Sequence, residues 1–411
     1  MTQILGLDPA LITRHLEGVG VVVEDGAELA ESFARVAWST VLEPGDRVAG
    51  QLINGLGAEA ALTHVINRSA PEVIAADLVR AGDQSGLDLI ELNDLAGGLE
   101  RWVPRLNSSD ALRALQSAEA VGAFLLTPTD DLWPQGFADI GFHQPVALWG
   151  RGQRQALEHF PGSVALVGAR ASTGYGEHVT MELTAGLVDR GHAVISGAAY
   201  GIDGMAHRSA LASEGITVAF LAGGVDRFYP SGHDALLNRI IESGAVLAET
   251  PCGFAPTKWR FLQRNRLIAA ASAATIVVEA GWRSGSLNTA NHAASIGRPL
   301  GAVPGPITSA SSAGCHRLLR EYGAVCVTTA GEIAELIPGA IQAEGRHTQL
   351  ALELSSQATR VLDALAPRKQ RSVDELARIS GLSLRDVAAA LGELELDQRA
   401  RMLERGWCLS S

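Results

Sequence analysis

Residues 164–178 read VALVGARASTGYGEH. Val164 to Gly168 form a short apolar run of strand type. A glycine-bearing turn follows, and then the helical pattern EHVTMELTAGLVDRG begins. The same alternation repeats downstream. HAVISGA, TVAFLAGG, AVLAET, TIVVEA and PLGAVPG are short runs rich in β-branched residues, and DGMAHRSALASEG, ALLNRIIESG and SLNTANHAASIG are helical patterns between them. Alternating strands and helices predict an α/β fold: an extended Rossmann-like, largely parallel sheet with helices on both faces. Ligands of such sheets bind outside the carboxyl ends of the strands, so the loops there are where function is to be sought.

The flanks have a different texture. AELAESFARVAWSTVL and DRVAGQLINGLGAEAALTHVI carry apolar residues at helical spacing, which predicts an N-terminal helical accessory domain over residues 1–108. The α/β domain is expected over 109–340, led in by the strand-rich VGAFLLTP and QPVALWGRG. A linker is expected over 341–356. Three helical patterns and a closing hairpin, RARMLERGWCLS, then predict a C-terminal winged helix over 357–411. Its presumed recognition helix, SLRDVAAALGELELDQ, is more acidic than basic, which favours a protein-binding or regulatory role over groove reading.

Several function classes drop out. The 411 residues carry a formal net charge of −12, against a binder that coats nucleic acid over its whole surface, though not against a local basic groove. No apolar run has the length of a membrane span, and the N-terminus lacks a basic start with an apolar core, so a cytoplasmic protein is expected. The four cysteines form no C-x-x-C pair, and the central histidines show no metal-ligand spacing, so no metal is expected. No P-loop motif exists. Arg170 stands where the second glycine of a dinucleotide fingerprint belongs, and no cofactor is implied. No nucleophile elbow is present, and no catalytic residues are assigned.

What remains are four loops with the chemistry of an anion site. The first offers Gly168 and Arg170 ahead of a helix start. The second, SGAAYGID, runs from Ser196 through Gly197 and Tyr200 to Asp203, which reads as a helix N-cap. The third, EAGWRSGSLNTA, brings Arg283, Ser284, Gly285 and Ser286 to another helix start. The fourth is KWRFLQRNR, residues 258–266, read as a loop before the helix RLIAAAS. It collects Lys258, Trp259, Arg264, Asn265 and Arg266. Cations that track a backbone beside rings that stack on bases are the recipe for single-stranded nucleic acid. Trp259 and Phe261 are the rings, and anchoring in the core is the alternative for both.

Taken in order, VGAR with STGYG, SGAAYGIDGMAH, LAGGVDRFYP, the RNRLIA block, VVEAGWRSGSLNTA and GRPLGAVPG make the chain resemble the DNA-processing protein DprA (Smf) family over about residues 110–337. The resemblance implies a DNA-binding protein, not an enzyme. Such a protein binds and protects incoming single-stranded DNA and helps load a RecA-type recombinase in natural transformation and recombination. It typically acts as a homodimer through the central fold. The residues matching the family's DNA-facing loops are Gly168, Arg170, Ser196, Gly197, Arg264, Asn265, Arg266, Ser284 and Gly285. Arg170, Arg264 and Arg266 would hold phosphates while Trp259 stacks a base. Tyr200 departs from the pattern by standing where a basic residue is usual, and Leu262 stands where proline is usual. Two rivals follow. One is a nucleotide-hydrolysing enzyme of a related Rossmann-like family with Glu279 as general acid or base; the other is an adaptor that has lost DNA binding.

Overall fold

The computed structural model describes residues 6–81, 90–338, 355–367, 369–403 and 405–410. Two compact units divide the chain, Met1–Ala340 and Ile341–Ser411. Most of the expected linker, 341–356, lies outside the described residues.

The first unit is built on a nine-stranded sheet: β1 (Ala123–Leu126), β2 (Leu148–Gly152), β3 (Val164–Gly168), β4 (Val194–Ser196), β5 (Thr217–Leu221), β6 (Ala245–Ala248), β7 (Ala274–Glu279), β8 (Leu300–Ala302) and β9 (Val325–Cys326). Their spatial order is β1-β2-β6-β5-β4-β3-β7-β8-β9. β2 runs antiparallel to both β1 and β6, and the remaining pairs are parallel. The side-chain period of two splits each strand between two cores. On β3, Val164 and Leu166 pack on one face, and Ala165 and Val167 on the other.

Among the described residues, seven α-helices precede the sheet: α1 (Pro9–Gly18), α2 (Gly26–Val41), α3 (Arg47–Leu56), α4 (Ala58–Ile66), α5 (Pro71–Arg80), α6 (Leu92–Trp102) and α7 (Ser108–Ala120). Asp8, Asp25, Asp46 and Asn107 cap α1, α2, α3 and α7 through side-chain oxygens, which explains why these helices start where they do. Their apolar faces share one core with the sheet: Phe33, Trp38 and Leu52 belong to the same cluster as Trp149, Leu221 and Val246. The helical segment is therefore packed onto the sheet.

The sheet's crossovers are α8 (Gly174–Val188), α9 (Ile202–Ala212), α10 (Asp234–Ser243), α11 (Lys258–Ala271), α12 (Ser286–Ser295) and α13 (Ala313–Glu321), with α14 (Ala330–Glu335) after β9. α11 and α12 cover one face, and α8, α9 and α14 the other. The second unit is the expected winged helix: α15 (Ser356–Ala364), α16 (Val373–Ser380), α17 (Leu384–Leu396) and the hairpin β10 (Ala400–Leu403) with β11 (Gly406–Leu409). Ser372 and Ser383 cap α16 and α17, and Gly381 closes α16 with a left-handed φ of 67°.

Candidate nucleic-acid interface

From β3 the chain builds outward through β4, β5 and β6 in one direction and later through β7, β8 and β9 in the other. This reversal opens a crevice at the carboxyl ends of β3 and β7. A cleft of about 600 Å³ lies there. The loop after β3 contributes Gly168 and Arg170, the loop after β7 contributes Arg283 to Ser286, and α11 contributes Phe261, Leu262, Arg264 and Asn265.

KWRFLQRNR is not a loop. It is the first nine residues of α11, capped by the Thr257 hydroxyl, which accepts from the Arg260 N–H at 3.2 Å. The helix then sorts its cations by face. Lys258 and Trp259 are exposed. Arg260 turns away from the cleft onto Glu43, with Nε to Oε2 at 3.0 Å and Nη2 to Oε1 at 2.9 Å. Burial alone would raise the Glu43 carboxyl, but hydrogen bonds from Arg260 and Arg105 hold it below its ordinary value.

Arg266 does not face the cleft either. Its guanidinium forks onto Glu249 at 2.8 and 2.7 Å and donates through Nε to the His143 carbonyl at 2.9 Å. Its side chain is 3% exposed, so a phosphate finds neither room nor an unpaired donor there. The phosphate role expected of Arg266 is thus replaced by a structural one.

Arg264 does reach the cleft, although it is buried. Nη1 donates to the carbonyls of Gly197 and Phe220, each at 2.6 Å, and Nε to Asn265 Oδ1 at 3.2 Å. Gly197 is required here, because a Cβ would collide with the guanidinium. Burial lowers Arg264 to about 10, offset by Asp203, so the group stays charged at neutral pH. Nη2 has no hydrogen-bond partner among the described residues. The Arg264 and Arg170 guanidiniums lie 5.7 and 5.1 Å from the Phe261 ring centroid. Phe261 is thus half-buried furniture of the cleft wall. Asn265 donates to Asn288 Oδ1 at 3.1 Å and ties α11 to α12.

The second loop differs from its sequence reading in two ways. Ser196 is fully buried and spends its hydroxyl on the Leu166 carbonyl at 2.6 Å, joining β4 to β3 instead of facing a ligand. Asp203 is not the N-cap. Gly201, with φ 75°, precedes α9, and Asp203 lies in its first turn. The backbone N–H groups of Ala199, Gly168 and Gly197 turn toward its carboxylate. Burial raises its pKa, while Arg264 and those N–H groups pull it back. Those amides thus lie in the field of the protein's own buried carboxyl. Sequence reasoning missed this role; the only available signal was an acid inside a glycine-rich loop. Tyr200, in the same loop, is 49% exposed and meets the His233 ring edge-on at 4.8 Å.

The third loop keeps its anion chemistry. Ser284 and Ser286 hydroxyls pair at 2.7 Å, and Gly285 precedes α12 without a side-chain cap. The Leu287 and Asn288 N–H groups turn back onto the Ser284 and Gly285 carbonyls at 3.2 and 3.1 Å, so the N-terminus of α12 beside Arg283 offers mainly the Gly285 and Ser286 N–H groups. Glu279, at the end of β7, is spent. Its two oxygens accept from the Thr173 N–H at 2.9 Å and hydroxyl at 2.8 Å, which fixes the start of α8. It does not line the cleft.

Arg170, Arg283 and Lys258 are exposed and have no ion-pair partner among the described residues. Tyr229, which the sequence reading passed over, is 52% exposed and lies 5.5 Å from the Phe261 ring. Among the described residues no group of three His, Cys, Asp or Glu is placed to hold a metal, and no helix is long and apolar enough to cross a membrane.

Comparison with known proteins bears on this arrangement. The model of the family DNA recombination-mediator protein A matches residues 124–338, and that of the DprA winged helix domain matches 346–404. The Mycobacterium tuberculosis DNA processing protein DprA is 45% identical over 353 residues, 83% of this chain and 88% of its own length. Protein Smf of Escherichia coli is 36% identical over 66% of this chain and 73% of its own. The X-ray structure of DprA from Streptococcus pneumoniae superposes with a TM-score of 0.57 at 29% identity, covering 75% of this chain and 98% of that one. An open sheet with its cleft at the switch point, a matching winged helix and relatives of this closeness place the chain in the DprA (Smf) family of DNA-processing proteins.

Proposed function

We propose that the cleft holds single-stranded DNA, with phosphates on Arg170, Arg283 and the free Nη2 of Arg264, and with serine hydroxyls and the α12 N-terminus completing the contact. One observation carries this reading: Arg170, Arg264 and Arg283, none in an ion pair among the described residues, line the cleft, and the half-exposed Tyr229 lies 5.5 Å from Phe261 in its wall, in a chain whose formal net charge is −12. A double helix hides its base faces; a single strand offers them to Tyr200, Tyr229 and Trp259. The acidic remainder would repel nonspecific nucleic acid. Gly168, Gly197 and Asn265 then act as the frame of the cleft, and Tyr200 serves as a stacking ring where relatives carry a cation.

In this reading the protein shields the strand and helps a RecA-type recombinase assemble on it, as the family's description as recombination mediators supports. It works in the cytoplasm as a homodimer, with the winged helix contacting a protein partner. Fluorescence anisotropy of a labelled single strand, with a duplex competitor and a following recombinase-assembly assay, tests both parts. Salt-sensitive binding that prefers the single strand, followed by faster recombinase assembly, is expected. Equal affinity for duplex would sink the first part, and unchanged assembly the second. The hydrolase reading loses its acid–base residue, because Glu279 is committed to Thr173. Release of free base from a nucleoside monophosphate would restore it.

A further inference from the structure

The chain has seven tryptophans. Trp38, Trp102, Trp133 and Trp149 are buried and Trp407 is half-buried, while Trp259 and Trp282 are 53% and 55% exposed. Both exposed indoles lie at the carboxyl edge of the sheet and adjoin different walls of the cleft. Trp259 neighbours Leu262 one helical turn along α11, and Trp282 adjoins Arg283 in the loop after β7. Leaving an indole half in water forgoes apolar burial, and an indole next to an anion cleft offers a ring face for stacking.

The surroundings of Trp282 are built. The Arg317 guanidinium, from α13, lies 5.2 Å from the Trp282 ring centroid and 5.6 Å from that of Tyr322. Glu321 Oε2 accepts from Arg317 Nε at 2.8 Å, and its other oxygen accepts from Arg320 at 2.6 Å. The cation is therefore held in place and backs the indole, while more than half of the residue stays open.

We propose that Trp282, backed by Arg317, is a base-stacking subsite for single-stranded nucleic acid immediately beyond the phosphate cleft. The proposal rests on the single-strand reading of that cleft. A nucleotide whose phosphate sits against Arg283 and Ser284 brings its base within reach of the open indole face. Every base has such a face, so the subsite adds affinity without sequence preference. Arg317 serves as a positioning residue, because Glu321 holds it through Nε with its guanidinium against the ring.

The test is anisotropy with labelled oligo(dT) strands, each carrying one abasic position moved stepwise along the strand. Trp282→Ala weakens binding to the intact strand by about fivefold to twentyfold with the salt slope unchanged, since stacking releases no counterion. Trp282→Phe keeps most of the affinity. At one abasic position the wild-type protein loses the same factor, and Trp282→Ala loses nothing further. Arg317→Gln gives a smaller loss in the same direction. Should Trp282→Ala bind like wild type, or should its loss persist at every abasic position, the subsite falls while the single-strand reading stands. Should wild type bind no strand, both fall.

Discussion

The two sides of α11 carry the same chemistry and do opposite things. On its cleft side, Arg264 donates to carbonyl and amide oxygens, has the buried Asp203 opposing its charge from beyond ion-pair distance, and has one nitrogen to spare. Away from the cleft, Arg260 and Arg266 are forked onto Glu43 and Glu249. Arg264 and Arg266 are two residues apart, yet one belongs to the site and the other to the scaffold. A run of cations in sequence does not say which are free, because the carboxylates that neutralise them come from elsewhere; Glu43 is 217 residues from Arg260.

The largest effect should come from breaking the scaffold side. Arg266→Ala leaves the largely covered Glu249 without its ion pair, which costs about 3 kcal/mol of stability. Urea unfolding reads this directly, and below the midpoint the folded fraction should bind single strands as wild type does. A loss of DNA affinity without a loss of stability would move Arg266 back into the site.

Arg264→Lys sharpens the contrast from the other side. A lysine cannot span the Gly197 and Phe220 carbonyls with one planar fork, so stability falls by about 1.5–3 kcal/mol. Here single-strand affinity falls too, because the spare nitrogen is gone. Unfolding and anisotropy on the same sample separate the two arginines: Arg266 moves only the first, Arg264 both.

Beneath the same loops, His207 supplies a third test, confined to acid pH. Its Nδ1 contacts the Thr217 hydroxyl at 2.7 Å, and burial lowers its pKa from 6.5 to about 3. The unfolded chain takes up this proton near pH 6.5, whereas the folded chain resists until about pH 3. Stability therefore falls as pH drops through that window, by up to about 1.4 kcal/mol per unit. His207→Asn should flatten the dependence between pH 6.5 and 5, as measured by urea midpoints. An unchanged slope would contradict a buried neutral imidazole.

The sheet was legible in the sequence because each strand is a short apolar run closed by a turn, and the winged helix because Ser372, Gly381 and Ser383 punctuate it. The start of α11 was not. From Arg264 to Ala271 every residue is buried, so the helix has no apolar stripe for a periodic pattern to reveal. β9 escaped notice because it is two exposed residues long. In the site, the loops and Arg170, Arg283, Ser284 and Ser286 could be read from residue type and position. Asp203 facing the loop amides, the inward hydroxyl of Ser196 and the pairing of Arg266 could not, since each depends on contacts between distant segments.

If the cations of the cleft hold phosphates, strand binding must release counterions at each of them. The most direct measurement is the salt dependence of single-strand affinity for wild type and for the Arg170→Ala/Arg283→Ala double variant, both residues being exposed and free of ion pairs among the described residues. Each lost phosphate contact should lower the slope of log affinity against log salt by about 0.7, so the double variant should lose about 1.4 with its unfolding midpoint unchanged. An unchanged slope would place the phosphates somewhere other than this cleft.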